Sequence, residues 1–160
     1  MSHAQNPQNL RLMPFLIQIL AAGITGELVF EFLALVVAPV LLGTMMIPAG
    51  LVAGLGTVLF GVKMPMAAAW ALHLFAGIAL FPLGYVLFCR ITGLSGWMLS
   101  GALWAVVLWV FAQGALAPMV GRPFMLGFVP YTWASLVVHL AYALTVAGAL
   151  NWMTSRAPQS

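Results

Sequence analysis

The sequence predicts an all-α membrane protein, and three observations support that prediction. Of the 160 residues, 64% are hydrophobic and only 4% are charged, whereas soluble domains carry charge on about a quarter of their residues. The mean hydropathy is +1.14. Several apolar runs approach the roughly 20 residues that a helix needs to cross a bilayer. We therefore expect a polytopic membrane helix bundle that forms a single integral membrane domain over residues 1–160.

Four apolar runs are long enough to span the membrane. Pro65 and Pro130 precede the second and the fourth of them, at a position where a helix does not need the missing N–H. Loop-forming stretches such as "RITGLSG" separate the others. The predicted spans cover residues 12–38, 66–89, 97–117 and 131–152.

The segment between the first two spans, residues 39–65, allows two topologies. It is apolar, but Pro48 and five glycines interrupt it. Pro39 leaves almost no residues for a turn after the first span, and Pro48 would interrupt a further one. We therefore predict four transmembrane helices with a re-entrant or interfacial segment, and keep five transmembrane helices as the alternative.

The few basic residues bear on orientation and exclude one class of partner. In the four-span arrangement, Arg11, Arg90 and Arg156 lie on one side and Lys63 and Arg122 on the other. The positive-inside rule then places both termini in the cytoplasm of a cell with a bacterial-type inner membrane. Because the five basic residues are scattered along the chain, they form no nucleic-acid-binding patch.

Two histidines are predicted deep inside the membrane. His73 is eight residues beyond Pro65 and His139 is nine beyond Pro130, so a rise of 1.5 Å per residue puts both about 12 to 14 Å into their helices. The second and fourth spans run in the same direction when there are four spans. We therefore expect the two imidazoles to lie at the same depth.

The only two acidic residues of the chain lie in the first span. Glu27 and Glu31 are four residues apart and therefore share one face of the helix. If that span reaches the interface near residue 38, they lie about 16 and 10 Å deep, on either side of the level of the histidines. Because carboxylates at this depth are costly, both should face protein.

Further polar residues extend this buried set. On the fourth span Ser135, His139 and Tyr142 recur at steps of three and four residues, which marks one helix face. Tyr85 belongs to the second span and Gln113 to the third. We predict that these side chains form the polar interior of the bundle: Gln113, Tyr85, Tyr142 and Ser135.

The buried histidines and glutamates leave several chemistries open. Imidazole and carboxylate ligands suit iron, zinc or copper, so His73, His139, Glu27 and Glu31 are candidate metal ligands. Two histidines on different helices also suit haem, with His73 and His139 as axial ligands. The same groups suit proton or small-solute passage. Alternatively, they hydrogen-bond one another and hold the helices in register.

Part of the chain resembles a family of small uncharacterised bacterial inner-membrane proteins with four helices. The resemblance covers residues 66–150 and rests on the stretches "WALHLFAGIALFPLGYVLF", "GALWAVVLWVFAQGALAPMVGRPF" and "LVVHLAYALTVAGAL". It implies a four-helix architecture and no activity. The first span, with Glu27 and Glu31, lies outside it. The shared features are His73 with Gly77, Pro118 with Gly121, and His139 with Tyr142.

The function predicted first from the sequence is non-enzymatic. Its serines lack the sequence signature of a nucleophile, and short loops leave little outside the bilayer for a soluble partner. We expect an accessory or structural subunit that associates laterally with a larger membrane complex or with further copies of itself, surrounded by membrane lipid. The alternative is an intramembrane metal- or haem-binding, or proton- or solute-handling, protein.

Overall fold

The computed structural model describes residues 7–43 and 45–156, with side chains described from residue 13 onward. The predicted cytoplasmic ends, residues 1–6 and 157–160, lie outside the described residues. In the described part, five helices and one short 3-10 segment, Phe124–Phe128, follow one another without any strand. The helices are α1 (residues 7–42), α2 (Ala49–Phe60), α3 (Met66–Thr92), α4 (Trp97–Met119) and α5 (Pro130–Ser155).

Four of these helices are long and apolar enough to cross a membrane: Met13–Leu42 within α1, and the whole of α3, α4 and α5. The all-α, four-span prediction is thereby confirmed. The apolar helix α2 has 12 residues and measures about 18 Å, which is less than the roughly 30 Å of a bilayer's hydrocarbon core. It forms the predicted additional apolar segment between the first two spans.

Helix α5 packs against both α1 and α4, while α1 also packs against α3 and α2 lies along the first part of α3. Small residues let the helices approach closely. A methyl group at Gly101 would lie 2.9 Å from the Cβ of Ala147, so α4 and α5 touch through backbone and small side chains, as is common in membrane bundles.

The bundle has two ends with different connections. The long-loop end carries residues 43–65 and 120–129. The termini end carries residues 93–96, the start of α1 and the end of α5. The half of the bundle nearer the long-loop end is called the long-loop half, and the other is called the termini half.

Three spanning helices contain a π-helical segment just before a proline. These segments are Leu33–Val37, Ala76–Leu80 and Phe111–Leu116, and each is followed by one residue and then proline. A proline inside a helix removes an N–H and clashes with the preceding turn. One extra residue in that turn relieves the clash, as a π-bulge does.

This arrangement leaves one backbone carbonyl without its helical partner. In α3, the Phe81 N–H bonds to the Ala76 carbonyl and Pro82 has no N–H, so the Gly77 carbonyl receives no bond from its own helix. The Tyr142 hydroxyl of α5 donates to it instead. In α1, the Ala34 carbonyl is left free in the same way and accepts from the Met46 N–H at 3.2 Å.

The π segment also changes where the first helix ends. The sequence prediction placed that end at residue 38 because of Pro39, but α1 continues to Leu42 and ends at Gly43, whose φ is +68°. The N–H that Pro39 lacks would have bonded to Ala34, and Met46 supplies the donor in its place. The proline is therefore accommodated within the helix.

Candidate metal centre

Helices α1 and α3 bring three ionisable side chains together. The His73 Nε2 donates a hydrogen bond of 3.0 Å to Glu31 Oε1 and lies 3.2 Å from Glu27 Oε1. One potential ligand atom from each residue lies within 4.8 Å of the other two. Of the four residues predicted as metal ligands, the structure thus places three in one cluster, called here the Glu–His–Glu cluster.

A glycine makes room for this cluster. Gly77 is one turn beyond His73 on α3, and the Glu27 carboxylate lies directly against its backbone. A Cβ at position 77 would overlap the Glu27 carboxylate group. The missing side chain therefore lets Glu27, which is only 4% exposed, come within reach of the imidazole.

The cluster has more acceptors than donors. Glu27 Oε1 and Glu31 Oε2 are both shielded and accept no hydrogen bond from the described residues. A buried acceptor without a donor costs about 1–3 kcal/mol, and more when it is charged. A single imidazole N–H cannot satisfy two carboxylates, so the cluster as it stands favours the binding of a cation.

His139, the fourth predicted ligand, lies outside the cluster but close to it. Its Nδ1 donates to the carbonyl of Ser135 at 2.7 Å. The Phe30 ring contacts both imidazoles, with centroids 5.7 Å from His73 and 5.3 Å from His139. The two histidines therefore approach a common neighbour from α3 and α5, but only His73 reaches the carboxylates.

A cavity of about 110 Å³ connects the two histidines. Its walls are mostly apolar and aromatic, and its polar lining comes from Glu27 and His73 at one place and from α4 and α5 at another. Arg122, which is exposed, also lines it at the long-loop end. The aromatic side chains in the wall are Phe30, Phe81, Phe111, Tyr131 and Tyr142.

The polar residues predicted for the bundle interior are divided between two places. Gln113, Ser135 and Tyr142 line the cavity, and Gln113 Nε2 donates to Ser135 Oγ at 3.0 Å. Tyr85 lies in the termini half, where its hydroxyl contacts Ser100 Oγ at 2.8 Å. Tyr85 therefore belongs to a separate pair between α3 and α4.

Sequence reasoning missed two residues of this site and one residue of the separate pair. Phe30 and Met46 are buried cavity residues, and Ser100 is the partner of Tyr85. Phe30 is three residues beyond Glu27 and could have been placed near the cluster by helical spacing. Nothing in the sequence signals Met46, because a loop brings it back over the end of α1.

The cavity also bears on the haem alternative. A volume of about 110 Å³ corresponds to a few water molecules at roughly 30 Å³ each, which is too small for a haem macrocycle. In addition, His73 Nε2 already contacts two carboxylates. The geometry therefore suits a single ion better than haem.

Comparison of the chain with protein-family models, with curated proteins and with solved structures found no match. The resemblance described for residues 66–150 therefore stays a prediction. The assignment of the site rests on its own geometry.

Proposed function

We propose that this integral membrane protein binds a divalent transition-metal ion, of the Zn²⁺ type, through Glu27, Glu31 and His73. The observation that carries this proposal is the convergence of two carboxylates and one imidazole in a partly buried site where two carboxylate oxygens lack donors. Carboxylate oxygen and imidazole nitrogen are both common zinc ligands.

The spacing of the three groups supports this function. Zinc binds oxygen and nitrogen at about 2.0–2.2 Å, so two ligand atoms at tetrahedral positions are about 3.3–3.6 Å apart. The His73 Nε2 lies 3.0 and 3.2 Å from the two carboxylate oxygens. Transfer of the imidazole hydrogen from Nε2 to Nδ1, together with small side-chain rotations, would therefore convert the present contacts into coordination.

Charge supports the same function. Two carboxylates carry two negative charges and a neutral imidazole carries none, so a divalent ion makes the whole site neutral. In a bilayer, where unpaired charge is expensive, a neutral assembly is strongly favoured. The three protein ligands leave a further coordination position, as in zinc sites that bind an exogenous ligand.

We also propose the cellular setting that the sequence predicts, a bacterial-type inner membrane with both chain ends in the cytoplasm. The four spans give a multi-pass protein, and the positive-inside rule supplies the orientation. Reporters fused at Gly93 and after Arg156 should read cytoplasmic, and one at Gly121 should read external. The reverse pattern would overturn the orientation.

Within that membrane we propose that the protein associates laterally with other membrane subunits or with a second copy. The connections between the described helices are short, and large apolar side chains are exposed along every span. Helix faces are therefore the main surface for a partner. Cross-linking in native membranes followed by mass spectrometry should capture a discrete partner, and a chain that stays monomeric would contradict this assignment.

Metal content tests the main proposal. Protein purified in lipid nanodiscs, stripped with a chelator and reloaded with Zn²⁺ should hold one ion per chain by elemental analysis. Glu31→Gln and His73→Ala should each lose it, because removal of one of three ligands weakens a site severely.

His139→Ala is the matched control. It removes a partly buried imidazole from the same cavity without touching the cluster, so it should still hold one ion per chain. Binding that survives His73→Ala, or that fails in the wild-type protein, would overturn the proposal.

A further inference from the structure

The π segment of α4 leaves a third backbone carbonyl free, and its residue lines the cavity. The Ala117 N–H bonds to the Ala112 carbonyl, and Pro118 has no N–H, so the Gln113 carbonyl has no donor within its helix. The equivalent carbonyls in α1 and α3 receive a donor from elsewhere in the bundle, Met46 or Tyr142. In the described part of the chain no such donor reaches Gln113.

The side chain of Gln113 adds a second acceptor. Its Nε2 donates to Ser135 Oγ, but its Oε1 accepts no bond, although the residue is only 3% exposed. An amide oxygen shielded from water without a donor is unfavourable by about 1–3 kcal/mol. One residue thus presents two acceptors without donors in the interior of the bundle.

His139 supplies a third acceptor in the same cavity. Because the Ser135 carbonyl can only accept, the His139 Nδ1 carries the hydrogen of their 2.7 Å bond. In a neutral imidazole the other nitrogen, Nε2, is then an acceptor. Gln113, Ser135 and His139 all line the cavity, and together they form what is called here the acceptor site.

We propose that the acceptor site binds a small neutral molecule from the lipid phase that carries a phenol-type O–H on an aromatic ring. The O–H would donate to the acceptors of Gln113 and His139. The ring would lie among the phenylalanine and tyrosine side chains of the cavity wall, where aromatic rings pack favourably.

The size of the cavity and the charge of its lining both restrict the class of ligand. The cavity volume of about 110 Å³ is of the same order as the roughly 150 Å³ apolar cavity that binds benzene in another protein, so it suits one ring. The side chains of the acceptor site, Gln113, Ser135 and a neutral His139, carry no net charge and so favour a neutral ligand over an ion. The apolar walls favour delivery from lipid over delivery from water.

Fluorine NMR with two matched probes tests the proposal. 4-Fluorophenol and 4-fluorotoluene have nearly the same size, but only the first can donate a hydrogen bond. Chelator-treated protein in nanodiscs should bind 4-fluorophenol at one molecule per chain, after subtraction of the signal from empty nanodiscs. It should bind 4-fluorotoluene at least tenfold more weakly, because neutral hydrogen bonds to buried acceptors contribute about 1.4 kcal/mol or more.

Gln113→Leu should reduce this preference severalfold, since it replaces the side-chain amide with an apolar group of similar size and removes one of the three acceptors. Ser100→Ala is the matched control, because it removes a buried hydroxyl of α4 that lies outside the cavity. If Gln113→Leu does not fold, His139→Leu provides the same test.

Equal binding of the two probes, an unchanged preference in the folded variant, or no binding beyond empty nanodiscs would overturn the proposal. The last result would mean that only water molecules donate hydrogen bonds to these acceptors. Because the measurement uses metal-free protein, its outcome is independent of whether the Glu–His–Glu cluster binds zinc.

Discussion

The two halves of the bundle differ in how fully their buried polar groups are paired by hydrogen bonds. In the termini half, the Tyr85 hydroxyl meets Ser100 Oγ, which in turn donates to the Gly96 carbonyl. In the long-loop half, Glu27, Glu31 and Gln113 each keep an oxygen that accepts nothing from the described residues. A pair that only joins helices needs matched donors and acceptors, and the excess of acceptors in the long-loop half is the basis for both proposed binding sites.

Trp104 is the exception in the termini half. Its indole N–H is buried without an acceptor, while its ring packs on Phe88 at 5.5 Å between centroids. One unpaired indole is a smaller electrostatic imbalance than two carboxylates and an amide. The two halves therefore differ in the charge and in the number of their unpaired buried polar groups. Three substitutions test this difference.

The largest effect is expected from Gly77→Ala. Its methyl group would overlap the Glu27 carboxylate and push it away from His73, so zinc affinity should fall by tenfold or more. The free energy of unfolding should fall by about 1–3 kcal/mol, as is usual for overpacking. Zinc titration and SDS-induced unfolding in mixed micelles measure the two quantities.

Gly148→Ala is the control for that substitution. A methyl group there would meet the Trp97 ring at an ordinary 3.4 Å, and alanine is the better helix former. Unchanged zinc affinity in both variants would show that zinc binding does not require the Glu27 carboxylate to pack against Gly77.

An intermediate effect of opposite sign is expected from Glu27→Gln. Without metal, this change removes one of two neighbouring buried carboxylates and supplies an N–H₂ donor. The free energy of unfolding of metal-free protein should therefore rise by about 1–3 kcal/mol. Thermal unfolding in nanodiscs with a chelator present measures it. A lower free energy of unfolding would mean that the carboxylates of the wild-type cluster are already satisfied by donors and charge without an ion.

The smallest effect is expected from Tyr85→Phe in the termini half. It removes one neutral hydrogen bond, and Ser100 Oγ keeps its bond to Gly96, so the free energy of unfolding should fall by about 1 kcal/mol. Zinc affinity should be unchanged. A zinc effect as large as that of Gly77→Ala would erase the distinction between the two halves.

The depth of the buried groups could be predicted from the sequence, but their orientation about the helix axis could not. Counting residues from Pro65 and Pro130 predicted that both histidines lie at a depth between those of Glu27 and Glu31. In the structure, His73 contacts both carboxylates. Depth follows from a fixed rise per residue.

Orientation depends on packing and on the π segments. Each π segment adds a residue to one turn and so rotates everything beyond it by about 100° relative to a regular helix. His73 precedes the π segment of α3 and contacts α1, whereas Tyr85 follows it and contacts α4. A regular 3.6-residue period carries no information on that rotation, and the accommodation of Pro39 within α1 was missed for the same reason.

X-ray absorption spectroscopy of the zinc-loaded protein tests the central claim most directly, because it reports the ligand types around the ion. With Glu27, Glu31 and His73 as ligands, the first shell should contain only oxygen and nitrogen at about 2.0–2.2 Å, with the outer-shell scattering of one imidazole. His139→Ala should leave that spectrum unchanged. A sulfur neighbour at about 2.3 Å, or the scattering of two imidazoles, would contradict the proposed site.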